Sequence, residues 1–470
     1  ALQAAQQADT RLGYAVLLGV VMLSAGLVIA ALAALALANK WAAVGRVTPG
    51  KRELTERLVL AHWYAAYVRY AVQAMAMEQF AFTPAFWLWY RLLGMRAHRS
   101  AIVTPFPFWS CLDLISLGED AYVGGMPNAS CVEVTRVVGV SSTAHFRQTS
   151  LGRRAFCGPS AVLYPGVTIE PEAAVGAMAV VPSRTVVASG TVNVGNPGRP
   201  LAYTPDGYAT SPPGNTALFF AQTSALALYR NALSLLLQLA VIWLNFGLSL
   251  AAIRASGSTG LLDMTVRSFY LLQLDPLGKF VACAAIYSLF SGATSAALLP
   301  FVHFLLAAAT KWILLGRVRA GRSYAHRSWM HARWICVYQF LNRSARLNAT
   351  FYLGTAWYSL AARLLGSRVG RHANFMWGWW PEADVCAFGD HAYMDNSTVA
   401  YGHDFSKGHL RFRPISIGAG CELQPLSQVL PGTLLPDGTR VGPKSLVLPL
   451  NDVPPCCALA GNPSRRLGRH

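Results

Sequence analysis

Acidic residues are scarce in this 470-residue chain: 21 Asp and Glu stand against 39 Lys and Arg. All charged types together make up 13% of it, while hydrophobic residues make up 54%. Ordinary globular chains carry about 25% charged residues, so part of this surface is expected to face lipid rather than water. The net charge of +18 suits nucleic acid, anionic headgroups or an anionic substrate. Recognisable cysteine spacing is also missing. None of the nine cysteines (111, 131, 157, 283, 336, 386, 421, 456 and 457) belongs to a CxxC pair, which leaves neither a zinc-finger pattern nor a disulfide framework. Several occupy small-residue positions of apolar patterns and read as reduced, mostly buried thiols. The chain opens on Ala rather than Met, as a processed product or one part of a larger polypeptide would.

Charge is absent altogether from residues 12–39, 231–253 and 280–310. Each stretch exceeds the ~20 residues that cross a bilayer, so three transmembrane helices are expected, the third with room to tilt and with Gly292 and Pro300 as kink points. The first is too long for a signal peptide and lacks its basic leader. Basic residues crowd after the first span (Lys40, Arg46, Lys51, Arg52) and after the third (Lys311, Arg317, Arg319, Arg322). Their placement puts 40–230 and 311–470 on one face, the cytoplasmic one. Because the basic residues follow membrane ends rather than forming a groove-sized patch, no nucleic acid partner is expected. Segments 57–95 and 329–366 are aromatic and basic, as in "AFWLWYRLLGMR", and read as interfacial helices in contact with membrane lipid.

Internal repetition organises the rest. "KWAAVGRVTPG" at 40 returns as "KWILLGRVRAG" at 311, "AHW" at 61 as "ARW" at 332, and "RLLGMRAHRS" at 91 as "RLLGSRVGRH" at 363. "DLISLGEDAY" from Asp113 matches "DVCAFGDHAY" from Asp384, and "VGNPGR" at 194 matches "AGNPSR" at 460. One module is written twice. The expected domains are an N-terminal transmembrane helix (1–39), a first interfacial-helix and coil module (40–210), two transmembrane helices (211–315) and a second module (316–470).

Within each module an aliphatic or small residue falls on every sixth position: Leu151, Cys157, Leu163, Ile169, Val175, Val181, Val187, and then Ile417, Leu423, Val429, Leu435, Val441, Val447. That period fits neither an α-helix nor a two-faced strand. It fits a left-handed parallel β-helix, a triangular solenoid with one side chain per hexapeptide pointing inward. Earlier rungs are expected at Leu117 and Val123 and at Phe388 and Met394, with loops leaving the coil over 124–150 and 395–416. The fold class is thus membrane α plus β, with two tandem hexapeptide-repeat coils. Solenoid ends need caps, and the interfacial helices are candidates.

The coil ending in "GNP" and basic residues resembles the hexapeptide acyltransferases. The order "GRVxxG…W", "RLLGxRxxR", "D-[LV]-x-x-x-G-[ED]-x-A", a His-bearing loop and "GNP" is similar to the membrane-embedded C-terminal region of ε-poly-lysine synthetase-like nonribosomal peptide synthetases, over nearly all of 40–470. That resemblance implies amide-bond formation from a thioester donor, carried on phosphopantetheine or coenzyme A, with adenylation and carrier domains in cis or in trans. This chain shows no adenylation core and no carrier motif. The family also tends toward three tandem soluble domains and more membrane helices. A fragment of such a synthetase and a stand-alone relative are both open, as is a homo-oligomer.

Acyl transfer to an amine or hydroxyl needs a base for the nucleophile's proton. "YGHDFSKGH" offers His403, with Asp404 beside it and His409 six positions on; the resemblance puts His403 in the base role. A gapless alignment of Ser150 with Ser416 sets Val137 against His403 and His145 against Arg411, so the modules read as unequal, with His145 the first module's candidate base. Asp113 and Asp384 recur in register and suit either a cationic amino group or backbone amides at a turn. Arg199, Arg465 and Arg466 follow "GNP" and suit phosphates, while Asn196 and Asn462 mark the turn where such a donor lies. A metal at His391, His403 and His409 is not expected, because the first module has no matching set. A non-catalytic scaffold and a coenzyme A-dependent O- or N-acetyltransferase are the competing functions.

Overall fold

The computed structural model describes residues 2–104, 111–125, 127–135, 142–201, 214–255, 298–376, 378–379, 382–406, 408–449 and 453–467. The chain divides into two compact units, Ala1–Ser224 and Ala225–His470, and the boundary falls inside one long helix.

Seven longer helices are described: α1 (Leu2–Ala43), α2 (Glu56–Val72), α3 (Pro84–Leu92), α4 (Thr216–Ala255), α5 (Leu298–Leu314), α6 (Trp329–Tyr352) and α7 (Ala356–Leu364). Two of them are long and apolar enough to cross a membrane, over Leu23–Ala43 in α1 and Thr216–Asn245 in α4. Little of either apolar stretch is buried inside the protein. The expected count of three spans is not reached among the described residues. Part of the third lies outside them, and its described part, α5, is shorter than the ~20 residues a span requires. Thr55 caps α2 by accepting from Leu58 N, and Ser328 caps α6 by accepting from His331 N.

Between α3 and α4, and again after α7, the chain forms a parallel β-helix. Strands of two or three residues pair in parallel with those eighteen positions on: Cys157 with Val175, Leu163 with Val181, Ile169 with Val187. The second coil repeats this with Ile417 and Leu435, Leu423 and Val441, Val429 and Val447. Eighteen residues in three strands is the hexad counted three times, and the inward positions Cys157, Ile169, Val175, Val181, Val429 and Val441 are fully buried. Glycine follows the inward residue because neighbouring rungs close on the corner: a Cβ at Gly152 would stand 2.6 Å from Pro171 N.

The coils begin earlier than the aliphatic marks suggest. Arg96–Ala97 and Ile102–Val103 already pair with later rungs in the first unit, as do Arg368–Val369 and Asn374–Phe375 in the second. The expected excursions over 124–150 and 395–416 are also shorter, since Ala129 pairs with Leu163 and Ala400 with Val429 as third-face rungs. Alanine is small enough to fill the narrow interior, so the sixfold marks run one step further in both modules.

What leaves the coil is an antiparallel hairpin. It comprises Val132–Thr135 with Thr143–Phe146 in the first unit, and His403–Ser406 with His409–Phe412 in the second. A strand that follows the first or fifth helix extends each hairpin, Gly50–Glu53 and Ser323–Ala325 respectively.

Candidate active site

The second hairpin register pairs His403 with Phe412 and Asp404 with Arg411, while the first pairs Val132 with Phe146 and Glu133 with His145. His403 therefore corresponds to Val132 rather than Val137. The first hairpin carries five more residues between its strands, which shifts any gapless alignment by that amount. Arg411 does correspond to His145. An ion pair recurs across the strands, Arg147 Nε to Glu133 at 3.5 Å and Arg413 Nε to Asp404 at 3.0 Å.

His403 and Asp404 alternate along their strand, so the two side chains leave opposite faces. Asp404 meets Arg413. His403 turns inward, and its Nδ1 lies 3.0 Å from Glu382 Oε1, off the line of an aligned N–H···O hydrogen bond. Glu382 is fully buried; its Oε1 accepts from Trp334 Nε1 on α6 at 2.7 Å, and its Oε2 has no hydrogen-bond partner. Gly402 lets the chain pass close by, because a Cβ there would stand 2.6 Å from Val385 Cγ2 and 2.9 Å from Glu382 Cβ. Aromatic rings enclose the imidazole: Trp334 at 4.7 Å, Phe405 at 5.2 Å and Tyr401 at 6.0 Å between centroids. His331, also on α6, is fully buried and packs on Trp334 and Phe405. Its Nδ1 accepts from Arg327 N at 3.0 Å, and burial, followed by the charge of neighbouring groups, holds its pKa well below the usual histidine value.

The chemistry available is that of a carboxylate–imidazole pair. A buried acceptor at Nδ1 favours the proton there and leaves Nε2 as the acceptor for a substrate proton. Glu382 and Trp334 are absent from the sequence-based set. Trp334 lies within the repeated "AHW/ARW" triplet, and Glu382 stands two residues before the repeated Asp384. Both lie in or beside repeated blocks, but Glu382 is not itself repeated, since its counterpart is Cys111.

The other expected residues lie elsewhere. His409 faces Ser406 and Ala325 across the hairpin. His145 lines a separate basic cleft of about 390 Å³ with Lys51, Arg147 and Arg184. Asp113 and Asp384 each bind a cationic amino group of their own unit: Lys40 Nζ to Asp113 at 2.9 Å, and Lys311 Nζ to Asp384 at 2.7 Å. Asn196 and Asn462 each precede a cis proline at the coil's last turn. Arg199 sits on a strand antiparallel to Val192–Val194, and Arg465 and Arg466 on one antiparallel to Ala458–Ala460. On one coil face, the rung of Tyr393 is followed by those of Glu422, Arg440 and Ala458. Three spacings of about 4.8 Å put the terminal arginines ~14 Å along the axis from the level of Tyr393. Among the described residues, no three His, Cys, Asp or Glu side chains converge to hold a metal.

Neither a family model nor a curated protein matches the chain. Among solved structures, the coil is similar to a maltose O-acetyltransferase from Clostridium difficile 630, at 14% identity over 34% of this chain and 94% of that one, with a TM-score of 0.28. A hexapeptide-repeat containing acetyltransferase from Vibrio cholerae gives 17%, 30%, 93% and 0.25 for the same quantities. A galactoside acetyltransferase in complex with coenzyme A gives 16%, 30%, 83% and 0.23. These neighbours have hexapeptide coils in common. At these scores the likeness carries no argument about chemistry, which rests on the side chains just described.

Proposed function

We propose that this chain is an acyltransferase anchored through α1 and α4, with its reacting centre at His403 in the second unit. The observation that carries the reading is the buried chain Trp334–Glu382–His403. A buried carboxylate set between an indole N–H and an imidazole is an arrangement that orients a general base. His403 Nε2 takes the proton of an attacking amine, the acyl carbon passes from a thioester sulfur to that nitrogen, and the thiol leaves protonated. Arg465 and Arg466 at the coil end suit the phosphate of a pantetheine-type donor. Aminoacyl or peptidyl transfer, in the manner of the ε-poly-lysine synthetase-like domains, is the acceptor chemistry proposed; it would need carrier-bound thioester from domains in cis or in trans. Acetyl transfer from coenzyme A uses the same base. The exposed row Leu60, Trp63, Tyr64 and Tyr67 on α2 supports contact with lipid headgroups.

The test is transfer by the detergent-purified chain. Aminoacyl-carrier thioester or acetyl coenzyme A is supplied with free amino acid, and products are read by mass spectrometry for wild type and His403→Ala. Amide product from the wild type, falling by roughly a hundredfold or more in the variant, supports the base. Equal product from both removes His403 from the role. No product from either donor leaves the scaffold as the better reading.

A further inference from the structure

The position that holds Glu382 in the second unit holds Cys111 in the first, two residues before Asp113. The repeated triplet that supplies Trp334 from α6 in the second unit supplies His62 from α2 in the first. The two side chains meet: Cys111 Sγ lies 3.7 Å from His62 Nδ1. The corresponding tryptophan, Trp63, is 62% exposed, and the histidine beside it turns in against Phe146, with ring centroids 5.6 Å apart. A cavity of about 50 Å³ opens on this pair, lined also by Lys40, Arg69 and Asp113. Here the same cavity is lined by a second group that lacks something: Asp113 Oδ2 has no hydrogen-bond partner, although its side chain is only 4% exposed. A buried acceptor left unmet is costly, and a guest that donates a hydrogen bond would meet it.

We propose that Cys111 and His62 form a thiol acyl-acceptor site, which takes a short amino-bearing acyl group from a pantetheine-type thioester. Cys111 Sγ attacks the thioester carbonyl carbon, and His62 Nδ1 accepts the thiol proton. The carbon–sulfur bond to the donor breaks, and the proton passes to the departing sulfur, leaving an acyl-Cys111 thioester and free donor thiol. No oxidant or reductant is needed. The volume accommodates an acyl group of about three to five heavy atoms, at ~10–15 Å³ for each water-sized unit, and Asp113 Oδ2 accepts from its amino group. Burial pushes the Cys111 thiol up to about 12 and lowers the pKa of His62. The resting pair is therefore neutral thiol and neutral imidazole, so attack depends on proton removal by His62 rather than on a standing thiolate.

This site is independent of His403, and one experiment separates the two. The full chain in detergent is incubated with glycyl-pantetheine thioester or acetyl coenzyme A, quenched in acid, and read by intact mass and peptide mapping. The expected result is one glycyl adduct mapping to Cys111, removed by neutral hydroxylamine, absent in Cys111→Ser and retained in His403→Ala. His62→Gln should slow its appearance by about a hundredfold, with Asp113 and its lysine partner untouched. Acetyl should load more slowly than glycyl. The exposed Cys456 serves as an internal control for unspecific acylation. Absence of an adduct in the correctly melting wild type, or an adduct that persists in Cys111→Ser, overturns the proposal. Equal loading of His62→Gln and wild type overturns the role of the pair.

Discussion

Lys311 Nζ lies 2.7 Å from Asp384 Oδ2, and Lys40 Nζ lies 2.9 Å from Asp113 Oδ1, each across 73 residues of chain. In both units the lysine also sits over the ring of the tryptophan beside it, at 3.4 Å for Trp41 and 3.5 Å for Trp312. Each tryptophan in turn donates to a carbonyl at the end of the short helix before the coil, Leu92 O or Leu364 O. The repeated "KW" is thus a clasp that fastens a long helix to the start of its coil. Gly94 and Gly366, at φ +108° and +105°, stand against the aspartate carboxyl where a Cβ would clash with it.

Breaking that clasp on one side should be costly. Removing one member of a buried ion pair leaves the other charge uncompensated, at about 3–5 kcal/mol. Lys311→Met or Asp384→Leu alone should lower the melting temperature sharply, while the double substitution should recover much of the loss. Melting of all three in detergent checks this; a double variant less stable than both singles would contradict it.

Stability should fall on mild acidification because of His331. Its pKa is lowered in the folded protein, so between the folded value and the ordinary value of about 6.5 the unfolded chain binds more protons. The penalty grows as pH falls below ~6.5, by at most about 1.4 kcal/mol per unit for the single proton. The groups facing it, His326, Arg327 and His403, add positive charge or none. Denaturant melts at pH 7.5 and 5.5 should differ less for His331→Asn than for wild type.

Glu382→Gln keeps the volume and the hydrogen bond from Trp334 but removes the charge beside His403. Transfer kcat should fall between about tenfold and the hundredfold expected for losing the base itself, with KM little changed. Steady-state rates against amine concentration measure this. A variant altered mainly in KM would place Glu382 in binding instead.

Gly152→Ala should destabilise the first coil by about 1–3 kcal/mol, since the added methyl meets the backbone of the next rung at Pro171. Gly190, which has open space around it and φ +71°, provides a contrast in which only backbone conformation is strained. Thermal melting of Gly152→Ala against wild type is the measurement; an unchanged melt would mean that the corner can relax.

By itself the sequence determined the coil, the duplication and two long apolar helices of the three expected. Each depends on a pattern local to the chain: one small inward side chain per hexad, a block repeated 271 positions later, a charge-free run of bilayer length. His403 was legible for the same reason, as a histidine in a segment that interrupts the hexads. Only the tertiary structure decided what stands beside it. Glu382 and His403 come from opposite ends of a coil rung and its hairpin, and Trp334 from a helix some fifty residues earlier, so their convergence depends on packing that no spacing records. The five-residue difference in hairpin length concealed the match of His403 with Val132. The exchange of Glu382 for Cys111 hid a second pair at the corresponding place. Periodicity reports which side chains are buried; which buried groups touch is settled only when the helices close on the coil.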